Sequence, residues 1–93
     1  MVVGLLEMDL YLPATSSLKE KRGILRSLKD RIRSKFNVSV AETDNNDLWQ
    51  RAQLGIVVVT NSSGNANSIL SKVIKLVEKE KRIQLLDYRL QFM

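Results

Sequence analysis

Five cations in one stretch have a spacing that can do chemistry. Lys19, Arg22, Arg26, Lys29 and Arg33 follow one another at intervals of 3, 4, 3 and 4. In a helix that spacing gathers them on one strip, between about 20° and 100° on a wheel started at Leu18 and roughly 21 Å long. A row of guanidinium and ammonium groups at this pitch suits phosphates, and RNA backbone is the simplest partner. Like-charged neighbours cost about 0.2–0.5 kcal/mol each. Asp30, four after Arg26, offsets part of that. A helix selected for stability alone would intersperse glutamates. The alternative is a solvated face screened by salt, or one paired with acidic groups of another strand or subunit. If all five cations neutralise phosphates, affinity should fall with salt at a log–log slope of about −3.5 to −4.5.

Other chemistries are poorly provided for. The 93 residues include no Cys and no His. That excludes disulfide frameworks, thiolate zinc sites, redox CxxC motifs, Ser-His-Asp or Cys-His nucleophiles and imidazole acid–base catalysis. Glu7 and Asp9 lie on one face of one strand, with no sign of the cleft that a paired-carboxylate mechanism needs. Glu42, Asp44 and Asp47 fail as a calcium loop, because counting from Asp44 puts Leu48 at position 5 and Trp49 at the glycine position. Asn61-Ser62-Ser63-Gly64-Asn65 lacks the lysine of a phosphate-binding loop and reads as a helix cap. The expectation is a protein that is not an enzyme, with no catalytic residues, no cofactor and no metal.

Composition sets the frame. Fifteen Lys and Arg against ten Asp and Glu give +5 and a pI near 9.8. A hydrophobic fraction of 44% suits one folded domain, residues 1–93, with a modest core. The apolar N-terminus carries Glu7 and Asp9 and no basic run, so it reads as neither signal peptide nor membrane span. The expected location is cytoplasmic, without a membrane partner.

The elements that would position the strip follow from periodicity. Leu6, Met8, Leu10 and Leu12 alternate with Glu7, Asp9 and Tyr11, a strand from Val2 to Leu12 ended by Pro13. Ser17 and Glu20 make a capping box for a helix from Leu18 to Lys35. Its apolar stripe, Leu18, Ile24, Leu25, Leu28 and Ile32, flanks the basic strip. Phe36, Val38 and Val40 predict a second strand before the turn at Asp44–Asp47. Leu54–Val59 is apolar on both faces and reads as a central strand. Ala66, Ile69, Leu70, Val73, Leu76 and Val77 predict a second helix. Leu86, Tyr88, Leu90 and Phe92 predict a final strand.

The order β-α-β-β-α-β gives an α+β, ferredoxin-like sandwich, with an antiparallel four-stranded sheet of order 4-1-3-2 and two helices on one face. Acylphosphatases share that fold but need an arginine on the loop after the first strand. Leu12–Ser17 has none. The open sheet face should carry Glu7, Asp9, Tyr11, Val57, Val59 and Arg89. Without aromatics on the third strand it cannot stack bases as an RNA-recognition motif does. Tyr11, Val57, Val59 and Trp49 instead suggest a protein interface, a homodimer being the second functional reading. Trp49 serves either as that anchor or as a clamp on the hairpin. Lys21 falls inside the apolar stripe, where it either snorkels or is held near a ligand or carboxylate.

Three segments also carry a resemblance. Ser17-Leu18-Lys19-Glu20-Lys21-Arg22, Phe36-Asn37-Val38-Ser39-Val40-Ala41-Glu42 and Asp47-Leu48-Trp49-Gln50-Arg51-Ala52 resemble the YlxP-like family of small bacterial proteins of unknown function. The resemblance implies a ferredoxin-like fold, a cytoplasmic bacterial protein, and genes often found among those for translation initiation and ribosome maturation. It implies no established activity and no catalytic residues. An RNA or ribosome partner is the expectation it shares with the basic strip.

Overall fold

The computed structural model describes residues 1–93 and shows six elements in the expected order. They are β1 (Val2–Tyr11), α1 (Leu18–Lys35), β2 (Ser39–Asp44), β3 (Arg51–Thr60), α2 (Ser63–Glu78) and β4 (Gln84–Phe92). Every strand pairing is antiparallel, and the sheet order β2-β3-β1-β4 is the expected order read from its other edge.

Strand alternation explains the core. Leu6, Met8 and Leu10 of β1 pair across the ladder with Ile56, Leu54 and Ala52 of β3, so all six share one face. Ile24, Leu25, Leu28 and Ile32 of α1 and Ala66, Leu70, Val73 and Val77 of α2 close over that face in one buried cluster. Each fully buried Leu, Ile or Val contributes about 1.5–3 kcal/mol. Both helices start on serine caps. The Ser17 hydroxyl accepts from the Glu20 amide at 3.1 Å, and the Ser62 hydroxyl from the Asn65 amide at 3.1 Å. The Glu20 carboxylate reaches back to Ser16, not Ser17, so the capping box is displaced by one residue.

Expectations for β2 and β3 are corrected. β2 starts at Ser39 and not at Phe36. Phe36 is the C-cap of α1, its amide donating to the Ile32 carbonyl at 2.9 Å, and residues 37–38 carry the chain off the helix before it can pair. β2 then runs through Asp44, with a register shift at Thr43. β3 is longer than expected at both ends. The final strand forms as expected, but Leu86, Tyr88 and Phe92 of its alternating apolar set are exposed. α2 packs mainly on β1 and β3, which leaves this outer strand largely uncovered.

One carboxylate joins the two helical units. Glu80, in the turn after α2, lies 2.7 Å from Arg31 of α1 and 2.8 Å from Nε of Arg82. The Arg82 hydrogen bond, against the opposing pull of burial, holds the Glu80 carboxyl down from its usual 4.5 to about 2. An acid whose folded pKa is depressed stabilises the fold above its unfolded pKa and loses that effect as pH falls through the folded value. Glu80→Gln should therefore be less stable than the parent at pH 7. The difference should shrink between pH 4.5 and pH 2. Denaturant titrations across that window test this, and a pH-independent difference would refute it.

Candidate nucleic-acid interface

The buried stripe of α1 docks on the sheet and turns the basic strip outward, on the flank beside edge strand β2. Arg33 marks that flank, its Nη2 donating to the Val40 carbonyl at 2.9 Å. Lys19, Arg22 and Arg26 are exposed and, with Gly23, line a shallow depression of about 320 Å³. A Cβ at Gly23 would meet nothing within 4 Å, so the helix leaves a notch beside these three cations. Lys29 is half-buried. None of Lys19, Arg22, Arg26 and Lys29 forms a salt bridge. Arg33 differs: besides Val40 it lies 3.8 Å from Asp30. The structure thus divides the five-residue strip into four free cations, over roughly 15 Å, and one tied to the sheet edge.

Lys21 is wholly buried. Its ammonium donates to the carbonyls of Asn45 and Leu48 at 2.6 and 2.7 Å and sits 2.8 Å from Glu42 Oε2. The register explains the partner. Glu42 pairs with Leu54, whose side chain faces the helices, so the Glu42 carboxylate meets the first turn of α1. Glu42 Oε2 accepts no well-directed hydrogen bond, and the contact is chiefly Coulombic. Snorkelling is excluded, since the charged end is the buried end. The carboxylate reading holds. Two of the three ammonium protons of Lys21 are donated to carbonyls, and both carbonyls belong to the β2–β3 loop.

That loop carries Trp49, which is 55% exposed next to exposed Leu48. The clamp reading of Trp49 is therefore corrected: it faces solvent, while Lys21 anchors the loop from within. Glu42, one of the three acids in the failed cation loop, is engaged by the same lysine.

The open sheet face is acidic at its centre. Arg89 lies 3.4 Å from Asp9, 3.6 Å from Glu7 and 3.7 Å from Asp87. The Asp9 hydrogen bond leads in raising the Arg89 pKa above its ordinary value. Three carboxylates around one guanidinium repel phosphate. The four expected interface residues do not form one surface. Val57 and Val59 pair with Leu5 and Val3 at one end of the face, and Tyr11 pairs with Arg51 at the other. The six residue steps from Leu5 to Tyr11 separate them by about 20 Å. Trp49 lies on the loop at the Tyr11 end.

Sequence reasoning missed a second basic surface. Arg31 and Lys35 of α1 face Lys72, Lys75 and Lys79 of α2 across a cleft between the helices. The intervals of 3 and 4 between those lysines were the available signal. That α1 and α2 turn these rows toward each other is a tertiary fact.

Comparison with known proteins agrees with this architecture. A de novo designed protein with ferredoxin fold, solved by solution NMR, superposes with a TM-score of 0.57 at 14% identity, covering all of this chain and 84% of the design. That likeness shows the fold alone. "Uncharacterized protein YlxP" of Bacillus subtilis (strain 168) is 32% identical over 83 residues, 89% of this chain and 90% of the relative. Residues 3–90 match the family described as "Protein of unknown function (DUF503)". With matches of that extent, the chain belongs to this YlxP-like family of small bacterial proteins.

Proposed function

We propose that the chain is a non-enzymatic, RNA- or ribosome-associated module that grips phosphates through the free cations of α1. One observation carries this reading: Lys19, Arg22, Arg26 and Lys29 share one flank of a rigid helix without a carboxylate partner. Lys21, Arg31, Arg82 and Arg89 are each paired with a carboxylate, and the other unpaired cations lie off this strip, at Lys35, Arg51, Lys72, Lys75, Lys79 and Lys81. The acidic open face supports the same flank by disfavouring phosphate on the sheet. The strip holds no aromatic to stack on a base, so it positions a backbone and does not read sequence.

The test is binding to purified ribosomal subunits and to total RNA over a salt series. Four neutralised phosphates give a log–log slope of about −2.8 to −3.6. An affinity independent of salt would overturn the proposal.

The open face favours a second reading, self-association through its apolar end. Val57 and Val59 are exposed there beside Leu5 and Val3. Light scattering should then give a dimer mass that Val59→Glu returns to monomer. A parent chain that stays monomeric at high concentration would reject this reading.

A further inference from the structure

The cleft between the C-terminal halves of α1 and α2 lies apart from the basic strip of α1. Arg31 and Lys35 lie at least about 120° around α1 from that strip. Across from them, Lys72, Lys75 and Lys79 are exposed along one side of α2. The cleft encloses about 310 Å³, and its apolar lining is Phe36 and Leu76, both half-buried. That volume is at the small end of the range for ligand pockets, about 300–1,000 Å³.

Its charge pattern is unusual. No acidic residue lines the cleft. Arg31 alone is paired, with Glu80. Lys35, Lys72, Lys75 and Lys79 form no salt bridge. Like charges along each helix repel at these intervals, and the two rows also repel each other across the gap. Lys75 and Lys79 complement the helix dipole at the end of α2. That accounts for neither Lys72 nor the facing α1 row. An anion seated between the rows is attracted to both and offsets these repulsions. The apolar lining calls for an anion with an organic body, and an aromatic ring beside lysines suits a base next to phosphates.

We propose that this cleft binds a nucleoside polyphosphate, its phosphate chain between the two lysine rows and its base against Phe36. The site is independent of the RNA strip, and either can fail alone.

Isothermal titration of the whole chain with ADP, with pyrophosphate and adenosine as separate arms, tests the assignment. Saturable one-to-one ADP binding is expected at low salt, about tenfold tighter than pyrophosphate because stacking adds to charge. Lys72→Gln/Lys75→Gln should weaken ADP about tenfold or more, as loss of charge-assisted contacts implies. Arg22→Glu/Arg26→Glu should leave ADP binding unchanged. Phe36→Leu, checked for a retained fold, should weaken ADP but not pyrophosphate. No saturable ADP binding would overturn the proposal. So would pyrophosphate binding as tightly as ADP, or ADP binding indifferent to loss of the two lysines.

Discussion

Arg22→Glu/Arg26→Glu should abolish most RNA binding while leaving the fold intact. Each reversal turns an attraction of about 1 kcal/mol at 4 Å in water-like dielectric into an equal repulsion. Two reversals amount to about 4 kcal/mol before screening, close to a thousandfold in affinity. Screening at physiological salt reduces this to roughly a hundredfold. The residual slope should fall to about −1.4 to −1.8, since two of four contacts remain. Neither arginine touches a carboxylate in the fold, and both are exposed. The melting temperature should therefore stay within a few degrees of the parent. Equal RNA binding by both proteins would make the strip ordinary solvated surface and overturn the proposed function.

Lys21→Met should be strongly destabilising. Methionine matches the length of lysine but brings no donor. It leaves the Asn45 and Leu48 carbonyls without their partner and Glu42 facing an apolar group. Removing one member of a buried pair costs about 3–5 kcal/mol, against a total stability of about 5–15 kcal/mol for a domain. For a chain of this length 3 kcal/mol lowers the melting temperature by about 12–24 °C. Lys21→Met/Glu42→Leu should recover only the part due to the stranded carboxylate, because the two carbonyls remain unserved. Trp49, the single tryptophan, lies on the tethered loop and reports locally. Its emission should change in Lys21→Met even under conditions where the helices persist. A variant as stable as the parent, with unchanged tryptophan emission, would show that Lys21 anchors nothing.

How much was legible in the sequence depends on the range of the interaction. The β1 alternation, the α1 stripe, the Ser17 cap and a helix start within Asn61–Asn65 are local patterns, and the structure reproduces them. β2 was misplaced because Phe36, Val38 and Val40 alternate like a strand while Phe36 is spent ending the helix. The exposure of Leu86, Tyr88 and Phe92 depends on where α2 sits, which their own alternation cannot encode.

The candidate surfaces divide in the same way. Spacing alone placed Lys19, Arg22, Arg26, Lys29 and Arg33 on one strip, because helical pitch is a constant. Only the packed structure withdrew Arg33 to the Val40 carbonyl, since that contact depends on how close β2 lies to α1. Lys21 announced itself by sitting in an apolar stripe. Its partners came from the register of β2 on β3, which turns Glu42 toward the helices, and from a loop more than twenty residues away. The two lysine rows are each visible along the chain, yet the cleft exists only where α1 and α2 meet. Sequence by itself determined the elements, their faces and the strip, since these follow from backbone periodicity and short-range chemistry. Tertiary structure decided which charges are free, which are buried and which face one another, since those depend on distances between residues far apart in the chain.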